Sequence, residues 1–423
     1  MSNTTEESRP SLRERARKLA PAIAERAREV EELRHVHDDS IKELIDAGLT
    51  RGLQSREWGG EEGTPEDFFG AVVEISKACP STGWVLSILG AHTWEVAHMS
   101  RQVNEELFGD DPTTLLSSSY SPIENHVENV PGGYRLSGRW RSSSGIHHAK
   151  WVILGADVTT GTGTFAHNMV VPVSEVTVID DWYTLGLCGT GSRSIEGSDI
   201  FVPAHRVIDR EVLLAKAGPG LAGGGSPLYQ VPQGVLYTAI AGAPALGAGW
   251  GFYNEFVSQA KRYKRRSDHT RRAGAASLSE DPVVVSRIAQ ARGILADSEA
   301  RTMAAQRQAY ERTVAGDPMT AREVTAAIYD VARCAAASAE VASLLLPNLT
   351  AGVVYRFNPL QRLYRDILTA RQHGTMNVDI AAASMVGAEL GHAAGALFVL
   401  PEERLTAARE RAAATAAGPA NGK

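Results

Sequence analysis

Hydrophobic periodicity changes twice along the 423-residue chain, and that change restricts the fold more than any single motif. Up to about residue 112 apolar residues recur at intervals of three, four or seven, as in Leu12, Ala16, Leu19, Ile23, Val30 and Leu33, the stripe of an amphipathic helix. Pro21 predicts a kink or restart there. "DDSIKELIDAGL" reads as a second helix with Asp38 or Asp39 as N-cap and Gly48 as stop. "TPEDFFGAVVEISKAC" and "STGWVLSILGAHTWEVAHM" supply two more. Between about 113 and 225 the period shortens: "YRLSGRW", "KWVILGADV", "NMVVPVSEVTVI" and "SIEGSDIFV" are β-rich runs parted by Gly, Pro and Asp, which predicts a compact antiparallel β domain. Beyond it the chain is Ala-rich and helical again, with four long segments that make a bundle and "ERLTAARERAAATAAGPANGK" as a frayed tail. The expected protein is α+β and mainly helical, with an N-terminal helical domain (1–112), a central antiparallel β domain (113–225) and a C-terminal four-helix bundle (226–423).

Charge and composition exclude several function classes. A net charge of −6 opposes general nucleic-acid binding, which needs a cationic surface to replace phosphate counterions. Cys79, Cys188 and Cys334 are distant and odd in number, so neither a disulfide framework nor a metal site is expected, and a reducing cytoplasm is the natural setting. "MSNTTEESRP" lacks the cationic start and apolar core of a signal peptide. Val235 to Tyr253 is uncharged and about long enough to span a bilayer, but Pro244 and its many small residues favour a buried bundle helix. Forty glycines beside abundant alanine predict closely approaching helices.

Nucleotide fingerprints fail on inspection. "GTGTFA", Gly161 to Ala166, lies between two β runs with no helix after it, and "GLCGTGS" lacks the fingerprint's third glycine and the following helix, so no NAD(P)H domain is expected. The basic run "KRYKRRSDHTRR", containing Arg265, reads either as a solvated helix end or as a clamp for cofactor phosphates. Trp84 and His92 stand eight residues apart and share a helix face, although a lone histidine on an apolar helix is more often core than catalyst. "WRSSSG" sets Ser142, Ser143 and Ser144 at a turn after a β run, where hydroxyls can meet a ring nitrogen. "TARQHGTMNVD" puts Arg371, Gln372, His373, Asn377 and Asp379 close together between two runs that look like buried helix.

The order helices, β domain, helix bundle resembles the acyl-CoA dehydrogenase fold. "WGG" at Trp58, "CPSTGWVLSILGAHTW", "LLSSSYSPI", "YRLSGRWRSSSGIHHAKWVILG", "WYTLGLCGTGSRSIEGSDIFVP", "SPLYQVPQG" and "RLYRDILTARQHGTMN" together are similar to the group D flavin monooxygenases. Within that group the similarity runs to the hydroxylases of phenolic seco-steroids and of p-hydroxyphenylacetate. The resemblance implies the oxygenase component of a two-component system, in which a separate NAD(P)H reductase supplies reduced FMN or FAD, O2 adds at the flavin C(4a) position, and an aromatic substrate is hydroxylated. It places His92 near the substrate hydroxyl as a base near its normal pKa, with Trp84, Ser118 and Tyr120 against the substrate and Ser119 beside them. It sets Ser144, or Ser143 with a slipped register, at the flavin N(5), and His373, in a late helix, at the oxygenated flavin. It brings Thr190, Ser192, Arg193 and Arg265 to the flavin, and it implies a homotetramer. Ser142 stands where the steroid hydroxylase pattern has tryptophan, which implies a different phenol. The residues leave open an N- or S-oxygenating monooxygenase of the same fold, an acyl-CoA dehydrogenase, and a non-enzymatic bundle whose histidines are core.

Overall fold

Local sequence signals set the helix ends throughout the computed structural model, which describes residues 9–160, 163–216, 225–262, 277–349, 351–392 and 398–417. Helix α1 (Leu12–Leu33) opens on a reciprocal cap, in which Ser11 accepts from the Glu14 N–H and Glu14 reaches back to the Ser11 N–H. Pro21 does not break it. Pro21 lies on the exposed side, so the backbone bond it cannot make is missing from the solvent face and not from the core. Helix α2 (Asp38–Asp46) is capped by the His37 ring accepting from the Asp39 N–H, and not by Asp38 or Asp39. Helices α3 (Pro65–Ala78), α4 (Pro80–Val96) and α5 (Arg101–Phe108) complete the first zone.

Among the described residues eight strands form two four-stranded sheets. One has the order β1 (Leu116–Ser119), β4 (Trp151–Thr160), β5 (Gly163–Pro172), β8 (Val207–Asp209); the other β2 (Pro122–Val130), β3 (Gly133–Ser143), β7 (Arg193–Pro203), β6 (Thr177–Ile179). Pairing is antiparallel except between β1 and β4, which run parallel because helical and β segments intervene between them rather than a tight hairpin. Leu136, Trp140, Leu154, Val171, Ile195 and Val202 fill the space between the sheets.

After the short α6 (Arg210–Leu214) come α7 (Gln233–Arg262), α8 (Pro282–Val314) and α9 (Ala321–Leu345), then the shorter α10 (Pro359–Ala370) and α11 (Val378–Glu389). Among the described residues α7 is the one helix long and apolar enough to cross a membrane, and 94% of its most apolar stretch is buried inside the protein. Glycine lets it lie there. A Cβ on Gly247 of α7 would stand 2.4 Å from the Ser76 Cβ of α3, and one on Gly83 of α4 would stand 1.8 Å from the Ser76 Oγ. The expected frayed tail is instead helix α12 (Glu402–Ala417), which packs on α6 rather than on the bundle. Arg411 holds Asp209 and Glu211, and Arg404 also bonds Glu211. These carboxylates fix a segment that composition alone would leave loose.

Candidate active site

Two helices present matching rows toward one another. Trp84, Ile88 and His92 are spaced by four on α4, and Tyr237, Ala241 and Ala245 by four on α7. Trp84 packs in one apolar cluster with Ala241, Ala245, Leu187 and Met376. The end of β3 forms a third wall. There the β3–β7 register shifts between Trp140 and Ser143, and Ser142 takes the left-handed conformation with φ 62°. Such a bulge re-aims the residues after it, so Ser143 and Ser144 are both buried instead of alternating, while Ser142 itself is exposed.

Ser144 stands in a chain of hydrogen bonds whose direction can be worked out. Thr190 Oγ1 donates to the Leu187 carbonyl at 2.8 Å, so toward Ser192 Oγ, 2.6 Å away, Thr190 can only accept. Ser192 therefore accepts from Ser144 Oγ at 2.7 Å, and Ser144 accepts from the Trp84 indole N–H at 3.2 Å. A hydroxyl has one proton and two lone pairs. Ser144 is left with one lone pair and no proton to give. Ser143 points elsewhere: its hydroxyl lies 2.8 Å from Ser117 Oγ, and Ser117 donates to the Ser144 carbonyl.

The far end of this chain is clamped from the bundle. Leu187, with φ 51°, gives its N–H to the Asp366 carboxylate of α10 at 2.6 Å. Burial pushes the Asp366 pKa up to about 7. A folded value of about 7 against about 4 in the unfolded chain means that the contribution to stability is complete below pH about 4 and is lost as pH rises through 7. Asp366→Asn removes this titration. Between pH 5 and pH 8 the wild type should lose about 2–3 kcal/mol more stability than the variant, read from urea melts. Parallel pH profiles would show that Asp366 titrates as an ordinary surface carboxylate.

His92 is fully buried, and desolvation lowers its pKa to about 3. It is not the base near its normal pKa that the resemblance implies. Its Nδ1 lies 3.2 Å from the Tyr120 hydroxyl, while its Nε2 is buried without a partner. Tyr120 donates to Glu95 Oε2 at 2.5 Å, and Tyr237 donates to the same oxygen. Asn168 of β5 gives its amide N–H to Glu95 Oε1 at 2.6 Å and accepts from Arg210 Nε at 2.6 Å. Arg210 also holds the Tyr120 carbonyl at 2.6 Å. The Tyr120 proton goes to the carboxylate, so Tyr120 accepts from the Nδ1–H of His92. The Nε2 lone pair thus faces the interior bare, fit to accept from a substrate hydroxyl. Glu95, Tyr237, Asn168 and Arg210 were not anticipated from sequence. Glu95 had a signal, as the one charged residue in the seventeen of α4.

The remaining expected residues fall variously. Ser118 is buried beside the Tyr120 hydroxyl. Arg193 pairs with Asp180 at 3.4 Å. Arg265 lies outside the described residues. His373 meets Trp84 edge-on with ring centroids 5.5 Å apart, but it is not in a helix. It caps a single 3-10 turn, Gly374–Met376, because Asn377 starts α11 afresh by accepting from the Ile380 N–H. His373 is open to solvent on one side, yet desolvation by the surrounding protein lowers its pKa to about 4, as in the wall of a cleft. A surface hollow of about 610 Å3 beside Glu124, Arg139 and Glu196 lies on the β2–β3–β7–β6 sheet, away from these side chains. Among the described residues His35, Asp38 and His147 bring three potential cation ligands within 4.8 Å of one another, on the protein surface.

Comparison with known proteins gives this arrangement a family. Residues 5–106 match the acyl-CoA dehydrogenase N-terminal domain and 239–378 the acyl-CoA dehydrogenase C-terminal domain. The flavin-dependent monooxygenase oxygenase subunit HsaA of Rhodococcus jostii is 33% identical over 374 residues, 88% of this chain and 96% of that one. The crystal structure of 3-HSA hydroxylase from Rhodococcus sp. RHA1 superposes with a TM-score of 0.87 at 31% identity, covering 92% of this chain and 99% of that one. XiaF from Streptomyces sp., solved with FADH2 and glycerol, superposes with a TM-score of 0.83 at 26% identity over 91% and 96% of the two chains. The bare histidine nitrogen, the acceptor serine and the helical frame around them thus sit in a chain that belongs to the flavin-dependent monooxygenases, the oxygenase components of two-component hydroxylases.

Proposed function

We propose that the protein takes reduced FMN or FAD from a separate NAD(P)H flavin reductase and, with O2, hydroxylates a phenolic or polycyclic aromatic substrate ortho to its hydroxyl. The observation that carries the reading is the direction of the Trp84–Ser144–Ser192–Thr190 chain. Ser144 offers only a lone pair, which suits the N(5)–H donor of reduced flavin and not the N(5) acceptor of oxidised flavin. Reduced flavin, when bound, activates O2 and carries oxygen to the substrate ring. His92 would accept the phenol proton at Nε2 and make the ortho carbon more nucleophilic. Trp84, Ile88 and the Ala241–Ala245 row would hold the ring flat and exclude water. Ser118 and Tyr120 border the same space, and His373 stands at its edge, where it can donate toward the reacting oxygen. Thr190, Ser192, Arg193 and Arg265 would contribute to flavin binding.

The assembled form proposed is a cytoplasmic homotetramer. Exposed apolar side chains support it: Ile380, Val386 and Leu390 on and after α11 are 58%, 43% and 67% accessible, and Tyr355 and Phe357 before α10 are bare as well. Apolar surface of this kind is what a second copy would cover. The nearest glutamate to the late turn along the chain, Glu389, lies on the exposed side of α11 and pairs with Arg322 at 3.4 Å.

The test mixes the protein with chemically reduced FMN or FAD in oxygenated buffer, with and without phenols, and measures catechol formed against hydrogen peroxide released. Catechol in place of peroxide is the expected result. Peroxide in full yield with every phenol, or bleaching of bound oxidised flavin by an acyl-CoA thioester, would overturn the reading.

A further inference from the structure

His92 is fully enclosed, and desolvation lowers its pKa to about 3, so its ring keeps a proton poorly. Beyond its Nδ1 the structure provides a carboxylate, with Glu95 Oε2 3.8 Å away. What lies beyond is Tyr120 and then Glu95, already aligned: Nδ1 to hydroxyl 3.2 Å, hydroxyl to carboxylate 2.5 Å.

We propose that Glu95 is the terminal acceptor of the substrate hydroxyl proton, reached from His92 through Tyr120, an inference that rests on the aromatic hydroxylase reading above. The transfer balances. The phenol O–H proton moves to His92 Nε2 as the Nδ1 proton moves to Tyr120 and the Tyr120 proton to Glu95 Oε2. A phenolate and a neutral carboxylic acid replace a phenol and a carboxylate, His92 ends in its other tautomer, and no net charge enters the pocket. Glu95 acts through His92 as a positioning residue: while ionised it holds Tyr120 as a donor, which in turn keeps Nε2 bare.

The groups around Glu95 fit this role. Tyr237 from α7 and Tyr120 after β1 donate to Oε2, Asn168 from β5 donates to Oε1, and Arg210 from α6 reaches the carboxylate only through Asn168. No cation bonds the carboxylate directly among the described residues, so the carboxylate is hydrogen-bonded without being neutralised. Burial accordingly raises the Glu95 pKa above the usual carboxylate range, which makes it a better proton acceptor than a surface acid.

Glu95→Gln and Tyr120→Phe both cut the path, and they are assayed beside the wild type with chemically supplied reduced flavin. The probes are p-cresol, which stays protonated near neutral pH, and 4-cyanophenol, which ionises in mildly alkaline buffer. Catechol formation from p-cresol should fall about a hundredfold in both variants. With 4-cyanophenol the deficit should close as the phenol itself ionises. The ionised fraction of 4-cyanophenol bound to flavin-free protein, read by ultraviolet difference spectra, should be about tenfold lower in the variants than in the wild type at a given pH. Wild-type rates on p-cresol, or an equal deficit on both phenols at every pH with unchanged ionisation, would sink the relay while the hydroxylase reading stands. If Glu95→Gln fails to fold, Tyr120→Phe, which lacks one hydroxyl, decides the question. A wild type that releases only peroxide with every phenol overturns the hydroxylase reading and the relay with it.

Discussion

His92→Ala should form catechol about a hundredfold or more slowly, while oxygen is still consumed with reduced flavin and appears as hydrogen peroxide. The split follows from where the ring sits. Nε2 is the bare acceptor on the α4 row, two turns from Trp84, and no described atom of the hydroxyl chain touches His92. In the proposed role, removing it would deprive a phenol of its proton acceptor while leaving Ser144, Ser192 and Thr190 as they were. The cavity also strands Tyr120, which keeps its bond to Glu95. The measurement is product and peroxide per reduced flavin, with circular dichroism to show that the fold persists. Loss of oxygen consumption along with product would place His92 in flavin binding and remove it from substrate chemistry.

Trp140→Ala should cost about 3–5 kcal/mol of stability, the largest single loss expected in the β domain. Trp140 is fully buried between the two sheets, and its indole N–H donates to the Gly155 carbonyl at 2.7 Å. Truncation opens a cavity and leaves that carbonyl with one partner fewer in a dry interior. Trp140→Phe keeps most of the volume and should cost about 1–3 kcal/mol, so the pair separates packing from the hydrogen bond. Urea melts of both variants supply the comparison. Equal losses would mean that the hydrogen bond, and not the ring volume, is what matters. Trp140 precedes the β3 bulge directly, so catechol yield should fall in Trp140→Ala beyond what partial unfolding explains.

The change of hydrophobic period was enough to order helices, sheets and helices, and the eight-residue spacing was enough to put Trp84 and His92 on one face. The relay was harder to see. Its members come from α4, the end of β1, β5, α6 and α7, and only docking of the helices onto the β1–β4–β5–β8 sheet brings them within reach. Glu95 was nevertheless legible, because an unpaired acid in an apolar helix must be held by something. The resemblance implies a late helix around His373, whereas the residues themselves carry the break, because Asn377 ahead of "VDI" is an N-cap signal. Ser142 could not have been placed: a left-handed serine at a bulge leaves no mark in the sequence. The helical tail was missed because its arginines find their carboxylates two hundred residues away in the chain.

The walls of the proposed site are drawn from α4, the end of β3, the loop around Ser192, α7 and the His373 turn, in that order along the chain. A nascent polypeptide leaving the ribosome therefore carries its proton acceptors and its serine chain well before it carries the last wall. Reduced flavin reacts with oxygen unaided, and a half-built pocket would feed that reaction without harvesting it. Because domains fold in the order they emerge, productive coupling of oxygen to substrate has to wait for the His373 turn to be made.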